Sequence, residues 1–313
     1  MSNFHFPHIP ILVNEFLHQF KEKKITTFID ATLGAAGHSC ALLEKHPEIE
    51  LLIGIDQDTK ALEIASKRLA PFANKTHLIH GNFQKIQSLI TPFSPKKISG
   101  IFADLGVSSM QLDQAERGMS FSKEGPLDMR MDQTQKLTAR EIVNTWPQRE
   151  LEYIFREYGE EPKWKLVAHA VIQARNEKEL TTTLDLTKAL KTTLFFNPRK
   201  PIHPCTLVFQ SLRIAVNQEL KALEEFLPAA FDLLELGGIL GVLSFHSLED
   251  RIVKNYFREI SGYKGGREHD YDPNKFQKAN ALLLTKKPIC ANEEEITYNP
   301  RSRSAKMRFI EKI

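Results

Sequence analysis

Acidic residues and a glycine turn, each placed where an apolar run ends, are the groups of this chain best suited to chemistry. The stretch "FIDATLGAAGHS", Phe28 to Ser39, passes from a β-branched and apolar run into small residues, and the helical pattern "SCALLEKH" follows. A strand, a tight turn and a helix start converge backbone N–H groups on one point and so make a nest for a bound ligand. Asp56 closes the next apolar run, "LLIGID". An acid about 20 residues past such a turn accepts hydrogen bonds from ribose hydroxyls. Capping of the following helix falls to Asp58, which stands at the better position for it. Asp104 closes a further run, "ISGIFAD", and Phe245 and His246 follow "ILGVLS". Ligands of open α/β sheets bind beyond the carboxyl ends of the strands, which is where these residues are expected.

The turn narrows the ligand. A P-loop needs GxxxxGK followed by Ser or Thr, and no such run is present in the sequence. A dinucleotide fingerprint needs GxGxxG; Gly34 and Gly37 are present, but the middle position is Ala36. Its methyl group opposes the close approach of a pyrophosphate. A ligand without phosphate tolerates it better, and S-adenosylmethionine (SAM) is one, with ribose, adenine and a charged amino-acid tail. Asp56 serves NAD and SAM alike. The end of the chain decides between them. "NALLLTKKPI" and "AKMRFIEKI" read as strands about 20 residues apart, a gap that does not comfortably hold a crossover helix, so they are expected to pair antiparallel. Dinucleotide folds finish on parallel strands, whereas class I SAM-dependent methyltransferases finish on such a pair. Phe83 in "HGNF" is either a flank for adenine or a first-turn core aromatic.

The elements that position these residues alternate. "TTFIDA", "LLIGID", "THLIHG" and "ISGIFADLG" read as strands, with helical patterns such as "DTKALEIASKRLA" between them. Continuous apolar strands between helices mean a parallel sheet covered on both faces, an α/β doubly wound fold. From about Asp113 to Gln210 no good strand pattern occurs. The domain expectation is therefore a discontinuous core, residues 1–112 and 211–313, with a helical insertion at 113–210. Within the insertion, Arg130 between Asp128 and Asp132 reads as an internal ion-pair network. A single long helix, "FQSLRIAVNQELKALEEFLPAAFDLLEL", is expected to end at Gly237 and Gly238 before the fifth strand. Ser247 with Asp250 reads as the capping box of the next helix.

With 313 residues, 42% of them hydrophobic, the chain can bury a large core, and its composition argues against disorder. The net charge of +3 permits an acidic partner without demanding one. Cys40, Cys205 and Cys290 lie far apart without a CxxC, as reduced thiols of a cytoplasmic protein do, and their spacing suits no zinc site. No basic leader opens the chain, and the longest apolar stretch, "LLELGGILGVLSF", is too short and glycine-broken to span a bilayer. No membrane partner and no metal are expected; a monomer and a homodimer both fit the sequence.

The strings "ATLGAAGHS", "GIDQD", "DLGVSSMQLD", "ERGMSF", "GPLDMRMD", "SFHSLEDRIVK" and "NPRSRSAKMR" resemble, in order and over nearly the whole chain, segments of the RsmH (MraW) family of small-subunit ribosomal RNA methyltransferases. The resemblance implies SAM-dependent N4-methylation of a cytidine in the decoding region of 16S rRNA, presented as naked rRNA or as an assembled small subunit. It also implies a helical domain inserted into the methyltransferase core. Residue by residue, it implies SAM contacts at Ala36, Gly37, His38, Asp56, Phe83, Asp104 and Gln111. The family usually carries a second glycine where Ala36 stands.

N4 of cytosine is a weak nucleophile, because its lone pair is delocalised into the ring. A carboxylate accepting its N–H stabilises the positive charge that builds during attack, and Asp104 is placed for that role. His246 is a second candidate, expected to be exposed and to contact base or phosphate. Phe245 is a candidate stacking partner for a flipped base. Arg301, Arg303, Lys306 and Arg308 form a basic tail expected to hold RNA phosphates together with the insertion, and Lys264, Arg267, Lys275 and Lys278 add to it. Two other functions fit parts of the pattern: a SAM-sensing RNA-binding protein without turnover, and an NAD-dependent oxidoreductase, which the turn and the chain end disfavour.

Overall fold

The structure is a computed structural model that describes residues 10–95, 97–195, 203–262 and 279–313. Lys264, Arg267, Lys275 and Lys278 lie outside the described residues. The chain divides into two compact units, one of residues up to Gly106 together with Leu220–Ile313, the other Val107–Glu219.

The first unit starts with α1 (Val13–Phe20), β1 (Thr27–Asp30), α2 (Gly37–Lys45), β2 (Leu51–Asp56), α3 (Thr59–Arg68), β3 (Thr76–His80), α4 (Ile86–Ile90) and β4 (Ile98–Asp104). Asp58 caps α3 as expected, its carboxylate accepting the N–H of Lys60 at 3.1 Å. The second unit holds α5 (Ser109–Asp113), α6 (Ala139–Thr145), α7 (Gln148–Glu157), α8 (Trp164–Glu177), α9 (Thr183–Leu190) and α10 (Thr206–Asn217), with no strand among its described residues. The chain returns through α11 (Glu219–Leu233), β5 (Leu234–Ser244), α12 (Ser247–Ile260), β6 (Ala281–Leu283), α13 (Glu293–Tyr298) and β7 (Lys306–Lys312).

The seven strands form one sheet in the order β3-β2-β1-β4-β5-β7-β6. β1 to β5 run parallel, and β7 is antiparallel to both β5 and β6. This is the doubly wound α/β sheet with an antiparallel terminal pair, the class I methyltransferase arrangement. Alternate strand residues point to opposite faces, and both faces are covered. Phe28, Leu52, Phe102 and Phe309 pack with Phe16 and Phe20 of α1 on one side. Ile29, Ile53, Ile101 and Val242 pack with Phe226, Val253 and Phe257 on the other. That double burial is why the strands read as unbroken apolar runs. The order reverses between β1 and β4, so the carboxyl ends of β1, β2 and β4 stand side by side at the switch point. The gap between β6 and β7 does contain α13, a six-residue helix too short to carry a parallel crossover.

Three expectations are corrected. The units divide at 106/107 and 219/220, not at 112/113 and 210/211. Val208, Phe209, Leu212, Ala215 and Val216 of α10, Val107 ahead of α5 and Leu112 within it pack in the core of the helical unit. The sequence shows where a strand pattern stops, not which core the flanks join. The expected long helix is two helices, broken at Gln218, whose φ is +51°. Asn217 just before it accepts the N–H of Met131 and donates to the carbonyl of Met129, both at 2.8 Å, so the "GPLDMRMD" loop holds the helix end. Arg213 grips Glu219 across the break with two bonds of 2.8 and 2.9 Å. Finally, Gly237 and Gly238 lie inside β5 rather than ahead of it. The register against β4 shifts there, between the pairs Ile98–Leu234 and Gly100–Ile239, and Gly237 takes a φ of +81°.

A left-handed, exposed glutamine is strained where glycine is not. Gln218→Gly should therefore raise stability by up to about 1 kcal/mol, measured by chemical denaturation. A loss instead would mean that the glutamine side chain contributes more than its backbone costs.

Candidate active site

The turn after β1 is built on two left-handed residues, Gly34 at φ +52° and Ala36 at φ +59°, the latter fully buried and serving as the N-cap of α2. Asp56, at the end of β2, holds it: Oδ2 accepts the N–H of Gly34 at 2.7 Å, and Oδ1 accepts that of Asp58 at 2.8 Å. Arg68 donates to the Ala35 carbonyl at 3.1 Å from the other side. Asp56 thus shapes the nest as well as facing it.

Two further carboxyls stand on the same edge. Asp30 ends β1, is 2% exposed, and accepts the Ser39 hydroxyl at 2.6 Å and the N–H of Thr32 at 3.3 Å. Asp104 ends β4, and its backbone N–H donates to the Thr32 hydroxyl. Its side chain is 22% exposed, and among the described residues no hydrogen-bond donor reaches the carboxylate; His38 Nδ1 lies 3.7 Å from Oδ2. Burial pushes the carboxyls of Asp30 and Asp56 up to about 6, against the hydrogen bonds that favour their ions. Asp104 is pushed well above the usual carboxylate range, by burial first and then by the charges of Asp30 and Glu249. Such a cluster attracts a cation and a set of hydrogen-bond donors.

His38 is buried. Its Nε2 lies 2.9 Å from the Ile11 carbonyl oxygen, and its ring packs on Phe16 and Phe102 at 5.1 and 5.0 Å. Ala36, Gly37, His38, Asp56 and Asp104 are thereby brought together within one unit. Phe83 follows β3 in the same unit, half-buried, with its ring edge-on to Phe226 at 5.1 Å, so it does core work while part of it stays exposed. Gln111 belongs to the helical unit, where it is buried and closes the α5 capping box by accepting the N–H of Ser108 at 3.0 Å.

After β5 the expected capping box shifts by one residue. His246, not Ser247, caps α12: its Nδ1 accepts the N–H of Glu249 at 3.4 Å, while Glu249 Oε2 accepts the N–H groups of Phe245 and His246 at 2.9 and 3.3 Å. An imidazole nitrogen accepts as a serine hydroxyl does, and a search for Ser or Thr passes over it. The His246 side chain is 9% exposed, contrary to the expectation of an exposed group. Its Nε2 lies 3.1 Å from Glu249 Oε1 without hydrogen-bond geometry. Phe245 is half-buried beside Gly106, where a Cβ would lie 3.5 Å from its ring.

Asp250, freed from capping, pairs with Arg308 at 2.7 Å. Arg308 is therefore a buried structural cation and not a phosphate ligand, and Lys306, half-buried, reaches the same carboxylate at 3.4 Å. Arg301 and Arg303 are exposed. In the helical unit, Arg130 binds Asp128 through two bonds of 2.8 and 2.7 Å, the internal ion pair expected there. The sequence reading missed Asp30 and Glu249. Asp30 carried the same signal as Asp56 and Asp104, an acid closing an apolar run. Glu249 carried none.

The sequence model of the MraW methylase family matches residues 5–313. The ribosomal RNA small subunit methyltransferase H of Protochlamydia amoebophila is 50% identical over 315 residues, covering 98% of each chain. The proteins of the same name from Persephonella marina and Heliobacterium mobile are 45% and 44% identical, each covering 98% of this chain and 99% of their own.

Two outcomes follow from this geometry. Asp30 binds its proton more tightly folded than unfolded, so its contribution favours the fold at low pH and is lost as pH rises from about 4 to about 6. Asp30→Asn cannot lose it. Relative to the parent without ligand, the variant should gain about 2–3 kcal/mol of stability between pH 4 and pH 7 in denaturant titrations. A difference that stays flat across that range would refute the assignment. Arg308→Ala strands a buried carboxylate and should cost about 3–5 kcal/mol, while RNA affinity of the folded variant stays at the parent level in filter binding.

Proposed function

The chain belongs to the MraW methylase family, and from that premise we propose that it methylates the exocyclic N4 of a cytidine in the decoding region of 16S rRNA, in the cytoplasm. SAM is the methyl donor, and when bound it supplies an electrophilic methyl group on a sulfonium. The site suits such a donor, because Asp30, Asp56 and Asp104 gather negative charge that a cation relieves. Asp56 offers its remaining lone pairs to ribose hydroxyls, the turn at Ala36–His38 faces the amino-acid tail, and Phe83 flanks the adenine.

One observation carries the reading: among the described residues Asp104 is the carboxylate of the three that no hydrogen-bond donor reaches, and its side chain keeps 22% of its surface exposed at the switch point. A carboxylate in that state accepts the N–H of an incoming amine. It stabilises the positive charge that builds on nitrogen more than it stabilises the neutral amine, which is what lowers the barrier. Asp104 then takes the proton as the carbon–nitrogen bond completes and the carbon–sulfur bond has broken. The target base must leave its stack to reach Asp104. Phe245 gives it an aromatic surface, and the helical unit with exposed Arg301 and Arg303 provides the RNA contacts that offset the cost of flipping.

The test is transfer of labelled methyl from SAM to 16S rRNA or small subunits, with the modified nucleoside identified after digestion. Asp104→Asn should lower kcat by about 100-fold or more; a variant that methylates like the parent refutes the role. Replacing Arg301 and Arg303 together with alanine should weaken RNA binding and lower its salt slope by about 1–2, with SAM affinity unchanged. RNA binding equal to the parent across a salt series would place the phosphate contacts elsewhere.

A further inference from the structure

The segment ahead of α1 meets the start of α2 at two points and the far end of the chain at a third. Pro10 packs on Gly37: a Cβ there would lie 3.1, 3.2 and 3.3 Å from Cβ, Cγ and Cδ of the proline, so a side chain at that position would need the segment to shift. The Ile11 carbonyl oxygen lies 2.9 Å from His38 Nε2. The Leu12 N–H donates to Oε1 of Glu295 at 2.8 Å, across 283 residues of sequence. Glu295 stands in the first turn of α13 and is 7% exposed. A buried carboxyl is costly unless its oxygens are satisfied, and this one meets a backbone N–H of the opposite end of the chain.

Leu12 is itself strained. Its φ is +56°, in the left-handed region that a leucine avoids, and its side chain gives α1 no cap in return. Strain of this kind persists where the surroundings impose it, and it gathers at ligand clamps and switches. Ile11 and Leu12 share one core cluster with Leu33, Ala36 and Leu42, so the strained segment and the turn after β1 are packed as one piece.

We propose that Glu295 is a positioning residue for cofactor binding: it latches Pro10–Leu12 against Gly37 and His38, and so holds the turn in the shape that receives SAM. The inference rests on the assignment of that turn to SAM made above. Without the latch, the backbone at Leu12 is free to leave its strained conformation, and the supports at Gly37 and His38 loosen with it. Only the fraction of molecules with the segment closed then binds the cofactor well, and the apparent affinity falls by that fraction. The Asp104 backbone is held by the Thr32 hydroxyl instead, so the chemical step is largely spared.

Glu295→Ala should raise the KM and the calorimetric Kd for SAM about tenfold or more, the size of one lost hydrogen bond to a charged group. Its kcat at saturating SAM should fall by about threefold at most. Glu295→Gln keeps an acceptor at the same place and should bind SAM within about threefold of the parent. A merely structural role would lower the melting temperature of the alanine variant and leave its SAM affinity at the parent level; that result overturns the proposal, and so does a glutamine variant as weak as the alanine one. Coupling is reciprocal, so bound SAM must favour the closed segment by the same factor. In the parent, the Leu12 amide should therefore exchange its hydrogen about tenfold or more slowly with SAM than without it. An exchange rate at Leu12 that SAM leaves unchanged overturns the proposal even if neither variant folds. If Asp56→Ala also binds SAM like the parent, the turn is not the cofactor site and both readings fall; if Asp56→Ala binds weakly while Glu295→Ala does not, only the latch does.

Discussion

Carboxyl groups crowded at one edge of a sheet and withdrawn from water are the constraint on which the rest of this structure depends. Parallel strands point their carboxyl ends the same way, and the strand order sets β2, β1 and β4 side by side, so Asp56, Asp30 and Asp104 cannot avoid one another. Each is held with its proton bound more tightly than in water. The elements around them serve to make that tolerable. Ser39, Thr32, Gly34 and Asp58 supply donors to two of the acids, and the third is left for what binds. The fold thus gathers charge that a cation and hydrogen-bond donors would relieve.

The turn that faces this cluster shows how nearly balanced its parts are. A left-handed alanine costs about 1–2 kcal/mol of backbone strain. A glycine at the same point would cost about 0.5–1 kcal/mol of backbone entropy and would forgo about 0.8 kcal/mol from the buried methyl group. These terms nearly cancel, so an alanine stands at Ala36 without a large penalty. The methyl group is buried in one core cluster with Leu33, Leu42 and Leu43.

What was legible in the sequence was local. An acid closing an apolar run marked Asp56 and Asp104, and the two-faced apolar strands marked the sheet. The antiparallel ending separated this fold from a dinucleotide fold. What was not legible depended on partners far away along the chain. Arg308 read as a surface cation because Asp250 is distant in sequence, and nothing local to His38 announces the Ile11 carbonyl that it meets. The break at Gln218 lies in an unbroken helical pattern, and it exists because a loop residue far upstream takes the side chain of Asn217. The glycine pair at Gly237 and Gly238 was seen, but a pair of glycines marks a bulge as readily as a helix end.

The sheet order also dictates a schedule of synthesis. β1 to β4 leave the ribosome as a half-sheet whose β4 edge has no neighbour until β5, beginning at Leu234, has been made. The helical unit between them is contiguous and can fold on its own timetable while that edge waits. β6 emerges before β7, yet β7 is the strand it pairs with, so it remains idle until the residues from Lys306 arrive. Glu295, which pins the segment that locks His38, comes late as well. For much of its translation the chain is an open β-edge in need of shelter, which makes the interval before β5 the period when a chaperone has most to protect.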